Sequence, residues 1–300
     1  MTELLTQISD DYPGICFIEG QRNGKYPYSH SMLIEDTLID TGISSGFLRK
    51  LKREANINTV LLTHWHEDHI SGNRLFPNAT FMAHSEDIPI IQDVSKMYEF
   101  YDVADDPAQE ELFDTILQGL RMKDVRVDGN LSDNYTIKIG ESYALQTIYT
   151  PGHTKGHCCF YEKNSHILFL ADIDLSSLGP WYGGIDSDVD EFEQSIQKVM
   201  ALNADIAISG HKGIIYGSQT IKNQLGEYLD IIHKRDNKIM EMLSEKTSQT
   251  IEELIGRNIV YPRYTQYKLY EILAERIMIQ SHMKRLLKKN RIISTQNYNY

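Results

Sequence analysis

The run Thr63-His64-Trp65-His66-Glu67-Asp68-His69 places four potential metal ligands, His64, His66, Asp68 and His69, within six residues. His64 and His66 are two apart, so in extended chain both imidazoles face the same way. Imidazole and carboxylate donors together suit zinc, iron or manganese. The apolar stretch Asn58-Thr59-Val60-Leu61-Leu62-Thr63 just before them reads as a buried strand. A strand fixes where the following loop starts, and the loop can then wrap its donors around one point. The chemistry of such a point is hydrolysis, because a divalent ion acidifies bound water toward neutral pH and no serine or cysteine nucleophile is needed.

Further donors sit at later strand ends. His153 lies in Thr150-Pro151-Gly152-His153-Thr154-Lys155-Gly156-His157, Asp172 ends Phe169-Leu170-Ala171-Asp172, and His211 ends Ile208-Ser209-Gly210-His211. Taken in order with the first run, these segments resemble the signature motifs of the metallo-β-lactamase superfamily over roughly residues 12–216. Ser209 stands where the family more usually has Pro, and Ala171 where it has Gly. Neither is a ligand position. The resemblance implies His64, His66 and His153 on one metal, Asp68, His69 and His211 on a second, and Asp172 bridging them. It implies two divalent transition-metal ions, zinc by default, with iron or manganese acceptable to the same donors. The expected reaction is attack by a metal-bridging hydroxide on a carbonyl carbon or a phosphorus, with Asp68 as the catalytic carboxylate that orients it. Two divalent cations outweigh two aspartates and a hydroxide, so the site would attract an oxyanion.

Asp40, in Leu38-Ile39-Asp40-Thr41-Gly42, resembles an aspartate that the family places beneath the metals. His157 is either packed beside the site or an ordinary strand residue. His30, His84 and His166 lack ligand spacing and read as structural or exposed. His233 and His282 fall in helical pattern and read as surface residues.

The elements that must position these residues can be read from periodicity. Strands are expected at 15–19, 31–35, 37–40, 58–63, 80–83, 125–127, 135–139, 143–149, 157–161, 167–170 and 206–208, and helices at 47–55, 87–101, 107–120 and 190–202. From 218 onward the pattern is mostly helical. This order suits an α/β protein with two packed sheets and helices outside. The resemblance makes it a four-layer αββα metallo-β-lactamase sandwich with a small, mostly helical C-terminal appendage. The expected division is a catalytic domain over 1–217 and a helical region over 218–300. From about 250 that region resembles the small helical or winged-helix appendage of some superfamily members, ribonucleases among them.

Trp181 and Tyr182 follow Asp172 on a Gly/Pro-rich loop, where they either wall a substrate pocket or pack the loop onto the body. Met97, Tyr98, Phe100 and Tyr101 either roof that pocket or fill a helical core. Met283, Leu286, Leu287 and Ile292 have helical spacing, with Lys284, Arg285, Lys288 and Lys289 on the other faces.

Composition narrows the function. Of the 300 residues 41% are hydrophobic and 24% charged, an ordinary globular profile, and the net charge of −12 argues against a nucleic-acid partner. The charge is uneven. Residues 263–300 hold eight Lys or Arg against two Asp or Glu, a net of +6 that leaves −18 on the rest. No apolar run reaches the roughly 20 residues of a membrane span, and no basic-then-apolar leader opens the sequence, so the expected address is the cytoplasm. Cys16, Cys158 and Cys159 read as reduced thiols in strands. The preferred reading is a hydrolase of small-molecule esters, thioesters or lactones. The alternative is a metal-dependent phosphodiesterase or ribonuclease, and a third is a non-catalytic, metal-bound regulator. An enclosed aromatic pocket would favour the first, and a basic strip from tail to metals the second. A homodimer stays open.

Overall fold

Period-two alternation along buried strands decides the layers. In the strand Ile167–Ala171, the residues Ile167, Phe169 and Ala171 join a cluster between two sheets, while Leu168 and Leu170 face helices outside. A computed structural model describes residues 4–104, 106–244 and 250–292. Its first sheet runs in chain order through β1 (Leu5–Gln7), β2 (Ile15–Ile18), β3 (Ser31–Ile34), β4 (Thr37–Ile39), β5 (Thr59–Leu61), β6 (Thr80–Ala83) and β7 (Gly129–Asn130). It is antiparallel up to β4 and parallel beyond. The second sheet holds β8 (Thr136–Ile139), β9 (Tyr143–Tyr149), β10 (Cys158–Glu162), β11 (Ile167–Ala171), β12 (Ile206–Ser209) and β13 (Gly213–Tyr216), in the order β13-β12-β11-β10-β9-β8. Only β11 and β12 are parallel there. β9 and β11 are both antiparallel to β10, so β9, β11 and β12 share a direction and end at one edge.

Helices cover the outer faces, completing the αββα order. Against the first sheet lie α1 (Ser45–Glu54), through Leu48 and Leu51, and α5 (Pro107–Leu120), through Phe113 and Leu117. One-turn helices α2 (Glu67–Ile70), α3 (Ile88–Ile91) and α4 (Met97–Phe100) lie between them in sequence. Against the second sheet lie α6 (Val189–Met200), α7 (Ser218–Ser244), α8 (Ile251–Leu254) and α9 (Lys268–Lys288). Ile221 and Leu225 of α7, Leu254 of α8 and Met278 and Leu286 of α9 join Phe192 and Ile196 of α6 in one cluster with that sheet. The C-terminal helices thus extend the outer layer. Among the described residues after 250 there are helices α8 and α9 and no strand.

Other departures have local causes. The helix expected over 87–101 is broken, because Asp93 is extended (φ −149°, ψ 90°) and its carboxylate caps a new turn at the Ser95 N–H. The strand expected at 125–127 gives way to two residues of β7. β1 and β13 had no alternation long enough to read. Cys158 and Cys159 are buried free thiols in β10, and Cys16 is a half-buried free thiol in β2. No helix among the described residues is long and apolar enough to cross a membrane.

Candidate metal centre

The seven expected ligand residues lie in the loops, and on the one short helix, that follow strand ends. His64 and His66 follow β5, with His66 opening α2, which carries Asp68 and His69. His153 follows β9, Asp172 follows β11 and His211 follows β12. They gather as two groups, His64, His66, His153 and Asp172 in one and Asp68, His69 and His211 in the other, with ligand atoms in each within 4.8 Å of one another. His153 Nε2 lies 3.3 Å from His64 Nε2 and 2.8 Å from His66 Nδ1. His69 Nε2 lies 3.4 Å from His211 Nε2, which is 3.5 Å from Asp68 Oδ2. Asp172 faces both groups: Oδ2 is 3.1 Å from His153 Nε2, and Oδ1 is 2.8 Å from His69 Nε2 and 3.4 Å from His211 Nε2.

These spacings fit a metal. Donors at about 2.0–2.1 Å around a tetrahedral ion lie roughly 3.3 Å apart. Imidazole nitrogens aimed at one another repel unless a proton or cation lies among them. Burial holds His64 and His66 well below the ordinary imidazole range, in the neutral form a ligand needs. At His69 and His211 burial is outweighed by Asp172 and Asp68, and His211 is raised to about 9. The same carboxylates are the charges a cation would meet.

The far nitrogens of four of these histidines are fixed, and that of His66, Nε2, is buried without a partner among the described residues. His69 Nδ1–H donates to Asp40 Oδ2 at 2.7 Å, His153 Nδ1–H to the Trp181 carbonyl at 2.9 Å, and His211 Nδ1–H to the Gly24 carbonyl at 2.6 Å. His64 Nδ1 lies 2.9 Å from Thr63 Oγ1, which itself donates to Asp40. Each of these bonds selects the tautomer that turns Nε2 to the centre. Asp40 therefore lies behind this cluster, holding His69 directly and His64 through Thr63. His157, left open in the sequence, holds Asp172: its Nε2 accepts from the Asp172 N–H at 3.2 Å, and burial pushes it down to about 3, keeping it neutral. Ser209 has a role the sequence reading missed. Its hydroxyl donates to the Asp174 carbonyl and accepts from the His211 and Lys212 N–H groups, shaping the turn that delivers His211. Gly210 is required there, since an added side-chain carbon would lie 2.9 Å from the Ala171 carbonyl and 3.0 Å from Asp172 Oδ1.

The remaining histidines lie off the centre. His30 is buried and accepts from the Gly20 N–H, His84 stacks on Tyr149, His166 is exposed, and the half-buried His233 meets Glu193. His282 corrects its surface assignment: it is fully buried between Asp236 and Tyr182, because both faces of its stretch of α9 pack against neighbours.

A cavity of about 740 Å³ opens over the centre. Its walls include Tyr26, Tyr101, Trp181, Tyr261, Tyr267 and Tyr270, with Arg22 and Lys25 among the exposed residues. Trp181 lines it, its indole N–H donating to Tyr261 Oη at 2.9 Å. Tyr182 does not. It is fully buried on the opposite side of the loop, where its hydroxyl meets His282 and Arg235, so this candidate wall residue is corrected to a core one. Of the four expected roof residues only Tyr101 reaches the wall. It and Tyr26 each donate to Glu67, at 2.7 Å. Tyr26, Tyr261 and Tyr270 had no local signal in the sequence, since chain separated by more than 200 residues brings them together.

The family model described as metallo-beta-lactamase superfamily matches residues 27–211, which span the whole ligand set. The chain belongs to the metallo-β-lactamase superfamily. It is 24% identical over 248 residues to an atrochrysone carboxyl ACP thioesterase of Aspergillus fumigatus, covering 79% of this chain and 65% of that protein. The chain thus spans about two thirds of that relative's length. It is 24% identical over 296 residues to a beta-lactamase-like protein 2 homolog of Caenorhabditis elegans, covering 96% and 84% of the two chains. A metallo-beta-lactamase family protein of Thermus thermophilus shares the fold, with a TM-score of 0.69 at 19% identity over 93% of this chain and 94% of that one.

Proposed function

We propose that this superfamily member is a dinuclear metallo-hydrolase of a small molecule's carbonyl group, a thioester first, then an ester or lactone. One observation carries the reading: the centre lies under a cavity walled by aromatic side chains, while the basic face of α9 is engaged elsewhere. Arg285 pairs with Asp190, Glu193 and Asp236, and Lys288 and Lys289 pair with Asp190. No lysine or arginine of α9 lines the cavity over the ligands. A thioesterase among the relatives supports placing thioesters first.

His64, His66 and His153 would hold one ion, Asp68, His69 and His211 the other, and Asp172 would join them. Two such ions, zinc by default, would supply a hydroxide at neutral pH and a Lewis acid for the carbonyl oxygen. Asp68, 3.5 Å from His211 and on the cavity wall, would orient the attacking oxygen and hold its proton with the ions bound. Trp181, Tyr261 and Tyr270 exclude water and hold the apolar half of the substrate against the centre.

The test is a panel of thioesters, esters, lactones, phosphodiesters and RNA on metal-loaded protein. The expected result is thioester or ester turnover, abolished by chelation and restored by metal. Cleavage of phosphodiesters or RNA alone would overturn it, and so would binding without turnover across the panel.

A further inference from the structure

We infer that Arg22 and Lys25 form a subsite for an anionic group, a phosphate or a carboxylate, borne by the substrate away from its scissile carbonyl. The inference rests on the carbonyl-hydrolase reading for what the substrate is, but not for whether the subsite binds. The loop between β2 and β3 turns through three consecutive left-handed residues, Arg22 (φ 57°), Asn23 (φ 58°) and Gly24 (φ 64°). This turn is anchored on both sides. The Gly24 carbonyl accepts from His211 Nδ1 at 2.6 Å, and Tyr26 is bonded to Glu67 at 2.7 Å. Gly24 lies so close under His30 that an added side-chain carbon would sit 2.6 Å from Nε2. The loop is therefore fixed to the metal centre itself, and it sets Arg22 and Lys25 on the cavity wall at a defined offset from the ligands.

Those cations are free to meet an anion from the solvent side. The carboxylates on the same wall already have partners. Glu67 accepts from two tyrosines, Glu271 from the Thr265 N–H and hydroxyl, and Asp174 from the Ser176 N–H, while Asp68 and Asp172 face the histidines. Arg22 and Lys25 make no ion pair with any described residue. Both are exposed, in a protein whose net charge is −12. Two unpaired cations beside an aromatic chamber suit a substrate with one apolar half and one charged arm.

The probes are thioethers that cannot be hydrolysed: S-benzyl pantetheine 4′-phosphate, its neutral dephospho form, and S-benzyl glutathione. Their affinities are measured by calorimetry on metal-loaded protein. The expected result is that one charged probe binds at least roughly ten-fold tighter than the neutral one, and that 0.5 M salt shrinks the ratio. The phosphate and glutathione arms tell which anion is read. In Arg22→Gln with Lys25→Gln the charged-to-neutral ratio should fall toward one, while metal content, measured separately, reports that the loop still holds His211. Equal affinity for all three probes in the parent would overturn the subsite, as would a ratio that survives in the double variant. A preserved ratio in a parent that hydrolyses nothing would instead sink the hydrolase reading alone.

Discussion

The Asp40 carboxylate lies 2.7 Å from His69 Nδ1 and also accepts both the Thr63 N–H and hydroxyl. Asp40 is fully buried, on a left-handed residue (φ 59°) directly after β4, so its oxygens are aimed by backbone on one side and by Thr63 on the other. Replacing it leaves His69 free to rotate and to change tautomer. Asp40→Ala should weaken metal binding roughly 10–100-fold, as loss of such outer partners does. Competition with a calibrated chelator measures this, and an unchanged affinity would remove Asp40 from the site.

Asp172 presents one oxygen to each histidine group, so its loss affects both. Asp172→Ala should lower metal occupancy more than Asp40→Ala does, and chelation of the parent should abolish any hydrolysis. Elemental analysis of each protein decides the first point. Full activity in protein verified to be stripped of metal would contradict the mechanism.

Trp181 does two things at once: its carbonyl orients His153 and its indole walls the cavity. A side-chain change spares the carbonyl. Trp181→Ala should therefore raise KM for an aromatic thioester by about ten-fold, on the order of the 0.5–1.5 kcal/mol of an aromatic pair, with metal content intact. A fall in metal content with KM unchanged would reassign the ring to a purely structural role.

The residues that gather at the centre were legible for two reasons. The first four are local, following one buried strand, and His153, Asp172 and His211 lie in segments that resemble the superfamily's motifs, each after a strand. The layers were legible from alternation in strands such as Ile167–Ala171. The substrate chamber was not. Tyr26 and Tyr270 meet through Glu67 and Tyr101, contacts that no window of sequence contains. Trp181 and Tyr182 are neighbours that point opposite ways, and only the packing of α7 and α9 decides which faces the cavity. His282 looked like a surface residue because its polar partners, Asp236 and Tyr182, come from other elements.

That buried histidine gives stability a pH dependence. Burial lowers the His282 value below its ordinary 6.5, more than the Asp236 contact restores it, and the nearby Arg235 and Arg285 add to the lowering. A folded-state value below the unfolded one means that the unfolded chain binds more protons. Its contribution is complete above about pH 6.5 and falls as the pH drops below that. Urea midpoints at pH 7.5, 6.5 and 5.5 should show a parent-minus-variant difference that shrinks on acidification when His282→Gln is the variant. A difference independent of pH would sink the assignment.

Arg285 and its lysine neighbours should part company. The Arg285 guanidinium is buried and meets Asp190 and Glu193 of α6 and Asp236 of α7, whereas Lys288 and Lys289 reach Asp190 from exposed positions. Removing one partner of a buried pair strands the charge left behind, at about 3–5 kcal/mol. The three carboxylates keep some solvent contact, which puts Arg285→Ala near about 3 kcal/mol by urea unfolding. Lys288→Ala and Lys289→Ala should each cost less than about 1 kcal/mol, and that little should vanish in high salt. This contrast separates a helix docked by charge from one that offers its charge to a partner. If Arg285→Ala were as stable as the parent and instead lost a tight, salt-dependent RNA binding that the parent shows, α9 would be a nucleic-acid surface, and the phosphodiesterase alternative would replace the carbonyl hydrolase.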